Sequence, residues 1–296
     1  MFISSDSKKI YIFLPVHNRI NETKNFIDCL KSQTYQNYHL LLIDDGSTDG
    51  TSEMVKKCVN NDKLTILRGK GNWWWGGALH QGYKWLKKNK INGDDIILIM
   101  NDDTIFENDF LESGVNLINK NPNSLILAYT YSFQTKVLLE KGVHVEWNDQ
   151  IFSKANSIEE INCLQTMGLI FFIKDFYKIG GFHPILIPHY VSDYEFTIRA
   201  NQKGYKLLTD ESFKLYINEK TTNNDQKDKR PDNLFQFIKK TYSKRSPVNL
   251  ISWVWFTILR TPLRWKINNL TKNFKITVKD LLFYIRQDIK KIFLKK

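Results

Sequence analysis

"YHLLLIDDGSTDG" fills residues 38–50, and its first seven positions are almost wholly apolar. A strand with one solvated face alternates apolar and polar residues. A continuous run such as Leu40-Leu41-Leu42-Ile43 belongs instead to a strand covered on both faces. Such coverage calls for helices on each side of a largely parallel sheet. The run breaks at Asp44-Asp45-Gly46, and Ser47, Thr48 and Asp49 offer caps for a helix reaching about Cys58. The stretch reads as strand, acidic turn and helix, and it sets an α/β expectation.

The neighbouring sequence repeats that unit. "IYIFLPV" (10–16) is a strand, followed by helical spacing over 21–33. "KLTILR" (63–68) is a third strand, after which Leu79, Tyr83 and Leu86 mark a helix. "DIILIM" (95–100) is a fourth strand, ending at "NDD". Residues 108–119 read as a helix. Beyond them "SLILAYT", "VLLEKGVHVEW" and "EINCLQTMGLIFFI" read as strands with hairpin-like links, so the second half of the sheet is expected to be mixed. "DFYKIGGF" is a short helix stopped at Gly180. Residues 192–203 form a helix with Ser192 as N-cap, closed by Gly204.

Composition bounds the remaining possibilities. With 296 residues, 42% of them hydrophobic and 25% charged, the chain is long enough for a large core and too apolar for general disorder. Its net charge of +12 is uneven. Residues 220–296 hold 19 of the 43 Lys and Arg but 5 of the 31 Asp and Glu, so the main body is nearly neutral and the tail strongly basic. That asymmetry suits an anionic surface as partner of the tail and argues against nucleic acid on the main body. Cys29, Cys58 and Cys163 share no metal or redox spacing and read as free thiols of a reducing compartment. No signal peptide or spanning segment is legible, since the most apolar tail run, "NLISWVWFTIL", is too short to cross a bilayer.

Ligands of parallel α/β sheets bind at the carboxyl ends of strands. The four strand ends here are "PVHNR" (15–19), "DDGSTDG" (44–50), "GKGNWWWGG" (69–77) and "NDD" (101–103). None is a Gly-rich phosphate loop. Adjacent carboxylates Asp102 and Asp103 favour a divalent cation between protein and phosphates, of the Mg²⁺ or Mn²⁺ kind. Trp73, Trp74 and Trp75 stand in what reads as a loop. If the backbone there is extended, Trp74 points opposite to its neighbours and is the odd one out, and which of the three faces a ligand stays open at this point.

In order and spacing, "FLPVHNR", "LLIDDGSTDGT", "GKGNWWWGGALHQGY", "ILIMNDDTIF" and "GGFHPILIPHYVSDYEFTIRANQKGYKL" resemble a family 2 glycosyltransferase over roughly residues 10–217. The resemblance implies a GT-A type, Rossmann-like mixed α/β sheet flanked by helices. It implies an inverting transferase using a nucleotide-diphosphate sugar and a divalent metal. Pro15, His17 and Asn18 would line the nucleotide pocket. Asp44 or Asp45, preferably Asp45, would accept from the base. Asn72 and the glycines near it, Gly77 included, would border base and ribose, with Trp74 at a sugar. Asp102 would meet ribose or diphosphate, Asp103 would ligate the metal, and Asp193 would be the general base. Two departures stand out. Asn101 replaces one carboxylate of the usual Asp-x-Asp, and Ser192 replaces the acid that usually precedes the base.

The chemistry asks for the same parts. A carboxylate must take the proton of an attacking hydroxyl, and cations must stabilise the leaving diphosphate. Asp193 at a helix N-terminus is expected to stay ionised through the helix dipole. Glu195 offers to shape the acceptor side and Arg199 to pair within the helix layer, while His183 and His189 read as loop residues, either at the surface or in contact with acceptor or diphosphate.

The resulting plan has three parts: a catalytic domain over 1–219 (a nucleotide-sugar half to about 105 and an acceptor half after it), a linker over 220–234, and a basic amphipathic helical extension over 235–296. In the extension, Val278, Leu281, Leu282, Ile285, Ile289, Ile292 and Phe293 form one stripe, and "WVWF" (253–256) is flanked by basic residues. The extension reads as a peripheral anchor on the inner face of the cell membrane, where lipid-linked saccharide acceptors are met. The alternatives are packing on the domain or pairing in a homodimer. Two rival functions remain: a sugar-nucleotide nucleotidyltransferase, for which "PVHNR" supplies few of the expected cations, and a non-catalytic saccharide or nucleic-acid binder.

Overall fold

A computed structural model describes residues 8–219 and 231–293. Most of the expected linker (220–230) and the side chains of Ile292 and Phe293 in the expected stripe lie outside the described residues. Among the described residues there are eleven strands: β1 (Ile10–Val16), β2 (Tyr38–Asp44), β3 (Leu64–Arg68), β4 (Ile96–Ile99), β5 (Thr104–Ile105), β6 (Ser124–Ser132), β7 (Leu138–Glu140), β8 (Val143–Glu146), β9 (Ile151–Lys154), β10 (Leu169–Phe172) and β11 (Lys206–Ile217). The helices are α1 (Ile20–Lys31), α2 (Thr51–Cys58), α3 (Trp74–Lys88), α4 (Phe110–Lys120), α5 (Ile173–Ile179), α6 (Ser192–Gln202), α7 (Leu234–Tyr242), α8 (Leu250–Arg260) and α9 (Leu263–Phe293).

The main sheet runs β3-β2-β1-β4-β10-β6-β11-β5, with β7 on β6. Its first four strands are parallel, β10 opposes both neighbours, and β6 and β11 are again parallel. The sheet is therefore mixed from β10 onward, as the sequence predicts. Strands β1 and β2 are buried on both faces because each side of the pleat meets its own helical layer. Ile10, Ile12, Leu14, Leu40 and Leu42 pack with α1, α2 and α4 through Phe26, Val55 and Phe110. Phe13, Leu41, Ile43, Ile97 and Ile99 pack with α3, α5 and α6 through Leu79, Phe176 and Phe196.

Several boundaries differ from the sequence reading. Helix α3 opens at Trp74, inside the tryptophan run rather than after it. Only Leu169–Phe172 of "EINCLQTMGLIFFI" is strand. Ser192 is the first residue of α6, and its N-cap is Val191 at φ 57°. Strand β11, absent from the sequence reading, carries exposed charges between its buried positions, so no apolar run marks it.

The extension does not stand apart. Trp253, Trp255 and Phe256, read from sequence as interfacial aromatics, pack against Val143, Val145, Ile187, Val191 and Ile198 of the main body. Phe152 lies 5.7 Å from Trp253 and 5.8 Å from Phe256, ring to ring. A run of apolar residues on a basic background is equally suited to bilayer or protein. For "WVWF" the neighbour is the β8–β9 hairpin and α6.

Candidate active site

The parallel order β3-β2-β1-β4 sets the four chemistry-bearing strand ends side by side. At the end of β1, His17 Nδ1 lies 2.8 Å from the Asp45 carbonyl oxygen. Asn18, at φ 52°, accepts from Thr48 N through Oδ1 (2.7 Å), and its own N donates to Ser47 Oγ (2.9 Å). Asn tolerates this left-handed conformation because its short amide bonds locally. Asp49 accepts from Ile20 N and Thr51 N, each at 3.0 Å, and so ties the starts of α1 and α2 together.

The two carboxylates offered for base recognition are turned inward. Asp44 accepts from Ser47 N at 2.7 Å and from Ser52 Oγ, and is 2% exposed. Asp45 accepts four consecutive backbone N–H groups: Gly71 at 2.9 Å and Asn72 at 3.1 Å on Oδ1, Trp73 at 2.7 Å and Trp74 at 3.2 Å on Oδ2. A carboxylate has about four acceptor positions, so these bonds saturate it. The last of these bonds satisfies the N–H of Trp74 at the start of α3, and the other three hold the loop that leads into it. Gly69 permits the closure, since a Cβ there would fall 2.4 Å from Asp45 Oδ1.

The tryptophans separate as extended geometry suggests, although Trp74 and Trp75 are helical. Trp73 and Trp75 pack on the core, and Trp75 Nε1 donates to Thr166 Oγ1 at 2.9 Å. Trp74, at φ 60°, turns the other way. Its ring lies 5.5 Å from His189 and 5.3 Å from the Arg245 guanidinium. Gly76 and Gly77 are buried, and both N–H groups point to the Pro188 carbonyl (2.9 and 3.3 Å). They bring α3 against the 187–192 loop.

At the end of β4, Asp102 is 5% exposed and bonded by Arg19 Nε (2.8 Å) and Thr23 Oγ1 (3.2 Å). Burial lifts its carboxyl to about 7, aided by the charge of Asp103 and opposed by Arg19 and Thr23. Arg19 Nη2 also reaches Asp103 Oδ2 at 3.2 Å. No three His, Cys, Asp or Glu among the described residues gather to hold a metal alone. Ions of the Mg²⁺ type accept one or two carboxylates and complete their shell with phosphates and water. Asp103 fits such a shared site. So does Asn101 from the same turn, whose Oδ1 is buried without a hydrogen-bond partner.

Asp193 sits in the first turn of α6, half-buried, and accepts from Tyr194 N at 2.9 Å. Burial pushes it up to about 6. Backbone N–H groups oppose the shift, and the charge of Glu140 adds to it. Desolvation outweighs the opposing backbone N–H groups, although at about 6 the carboxyl is still mostly ionised at neutral pH. Glu195 lies two residues further along α6, 1% exposed, with Arg199 Nη2 at 2.9 Å, Arg260 Nε at 3.2 Å and His183 Nε2 at 3.4 Å. Burial alone would raise Glu195, but bonds from His183 and Arg199 outweigh it and hold the carboxyl below its usual value. His189 is lowered to about 4 by burial and by Arg245, and its Nδ1 is buried without a partner, as is Ser192 Oγ.

Arg19, Arg245 and Arg260 are the site-region residues that sequence reasoning passed over. Arg19 had a signal, a cation directly after a strand end. Arg245 and Arg260 had none, because only the packing of α7 and α8 carries the tail to Trp74 and Glu195.

The sequence profile described as Glycosyl transferase family 2 matches residues 11–179. An "Uncharacterized glycosyltransferase" of Rickettsia bellii (strain RML369-C) is 31% identical over 138 residues, which are 47% of this chain and 18% of that protein. The chain spans about a fifth of the length of the first curated relatives it matches. Among solved structures, S. aureus TarS 1-349 in complex with UDP-GlcNAc superposes with a TM-score of 0.58 at 13% identity, over 92% of this chain and 81% of that one. The mannosyltransferase PcManGT from Pyrobaculum calidifontis, in complex with GDP-Man and Mn²⁺, gives 0.53 at 12% identity, over 93% and 76%. At these identities the structural likeness is one of fold, the GT-A fold.

Proposed function

From the premise that the chain belongs to glycosyl transferase family 2 and is a glycosyltransferase, we propose that it moves one sugar from a UDP- or dTDP-linked donor to a saccharide acceptor in glycan or surface-polysaccharide assembly, with inversion. The observation that carries this reading is the meeting of two edges. Trp74, at the Asp45-clamped start of α3, lies against His189 of the loop leading to Asp193. Donor-side loops and a half-buried carboxylate thus flank one place.

In this reading Pro15, His17, Asn18 and Asn72 line the nucleotide pocket. Asp44, Asp45 and Asp102 are positioning residues that hold the loops beneath it, a narrower role than direct ligand contact. Asp103, with Asn101, would hold a Mg²⁺ or Mn²⁺ ion, which supplies positive charge against the leaving diphosphate. Arg19 orients Asp102 and Asp103 from the protein side. Asp193 takes the acceptor hydroxyl proton as that oxygen forms its bond to the anomeric carbon and the bond to the diphosphate breaks on the opposite face. A base with its pKa near 6 is mostly ionised at neutral pH yet matched to proton transfer. Trp74 offers its ring to the acceptor sugar. The buried, unpartnered His189 Nδ1 and Ser192 Oγ are further polar atoms on that side.

Acceptors of lipid-linked kind are met at the inner face of the cell membrane, and the basic tail suits attachment there. No helix among the described residues is long and apolar enough to cross a membrane. The test is thermal stabilisation by a panel of nucleotide sugars with and without Mn²⁺, repeated with Asp103→Ala. A donor-specific shift that needs metal in the wild type and is lost in the variant is expected. No metal-dependent shift with any donor overturns the reading.

A further inference from the structure

Helix α9 runs 31 residues, about 46 Å at 1.5 Å per residue. One side of it packs on the body, although Ile276 and Phe283 on that side stay more than half exposed. Asn269 Nδ2 donates to the Trp147 carbonyl at 2.8 Å, Lys272 reaches Asp149, Asn273 Nδ2 bonds Thr257, and Tyr284 stacks on Phe237 of α7 at 5.0 Å. The other side is bare. Ile267 is 79% exposed, and Phe274, Val278, Leu282 and Ile289 are each about half exposed. At 100° per residue these five side chains fall within an arc of about 80°, turned well away from the occupied side. Lys275, Lys279, Arg286 and Lys290 follow in the adjoining arc of about 60°. All four are exposed, and among the described residues none of them makes an ion pair.

We propose that this bare face of α9 docks on an anionic lipid bilayer, with the helix lying in the interfacial plane. Apolar side chains beside an unpaired basic row are what such a surface binds, because chains and headgroups satisfy both together. Charge complementarity decides the occupant. A second copy of the chain would bring another basic row to the same seam, whereas an anionic bilayer neutralises it. The structure also divides the tail by task. The aromatic residues of α8 hold the extension to the catalytic body, and α9 carries the membrane face. The proposal extends the reading of the chain as a transferase that meets lipid-linked acceptors, but its test needs no turnover.

The test is flotation of the full chain with phosphatidylcholine vesicles and with vesicles holding about 30% phosphatidylglycerol. Flotation with the anionic vesicles only, weakened at about 0.5 M salt, is expected. Val278→Asp with Leu282→Asp, and separately Lys275→Glu with Lys279→Glu and Arg286→Glu, should each lower the bound fraction about tenfold or more. Unchanged melting and unchanged stabilisation by nucleotide sugar show that the variants fold and that the donor reading stands by itself. Equal flotation with neutral vesicles, or variants that float like wild type, overturn the proposal. So does a dimer in light scattering that Val278→Asp with Leu282→Asp dissociates while no vesicle is bound.

Discussion

Arg260 of α8 reaches into the catalytic layer and pairs with Glu195 of α6, Nε to Oε1 at 3.2 Å. Two residues before Glu195 stands Asp193, so the C-terminal extension grips the helix that presents the proposed base. The grip is buried, with Glu195 1% and Arg260 14% exposed at the side chain, and a buried charge that loses its partner is costly.

Glu195→Ala should therefore destabilise by about 3–5 kcal/mol, since it strands Arg199 and Arg260 together, and Arg260→Ala by less. Urea unfolding monitored by tryptophan fluorescence measures both. The pH dependence follows from the sign of the shift. The folded-state carboxyl of Glu195 is held below its ordinary value, so its contribution is present above that value and is lost as pH falls through the folded one. The acid limb of stability below about pH 4 should flatten in Glu195→Gln.

Asp193 has the opposite sign. Its folded value, raised to about 6, means that stability is greatest while the group is protonated and declines as pH rises through about 6. Asp193→Asn should accordingly raise Tm at neutral pH while lowering kcat about 10²–10⁴-fold. In the wild type, kcat/KM should fall below pH 6 with an apparent pKa near that value. Turnover that survives Asp193→Asn moves the base elsewhere.

Gly76 and Gly77 make a matched pair. A Cβ on Gly76 would lie 2.7 Å from Ser192 Cβ and 3.0 Å from the Ile187 carbonyl, while one on Gly77 meets ordinary contacts at 3.5 and 3.9 Å. Gly76→Ala should cost about 1–3 kcal/mol and displace α6, with a loss of turnover. Gly77→Ala should be neutral or stabilising by up to about 1 kcal/mol, because alanine favours the helix. Melting curves and steady-state rates separate the two.

Trp74 holds φ at 60°, a conformation that costs a bulky residue about 1–2 kcal/mol. Trp74→Gly should relieve that strain and keep Tm close to wild type, whereas Trp74→Ala should lower it. Both variants should raise KM for the acceptor severalfold and leave donor affinity unchanged. Weakened donor binding with acceptor KM intact would reassign the ring to the donor sugar.

The sequence alone determined the layered α/β body. Leu40–Ile43 and Ile96–Ile99 are apolar without interruption, and that pattern has few solutions other than a strand between two helical layers. It also determined that the strand ends carry the polar groups, since these end each apolar run. Strand β11 escaped because charges interrupt its apolar positions, and the packing of α4, with Phe110 stacked on Phe213, is what buries them.

What only the tertiary structure decided is the use of each charged or aromatic group. Asp45 reads as a ligand contact until four backbone N–H groups converge on it. Asp193 reads as a dipole-stabilised carboxylate, and it is burial that raises it to about 6. Trp253, Trp255 and Phe256 read as a membrane face until the β8–β9 hairpin covers them, leaving the outer side of α9 bare. The physical reason is common to all three. Backbone periodicity is a local property of the chain, whereas desolvation and hydrogen-bond saturation depend on residues dozens of positions away, brought near by packing.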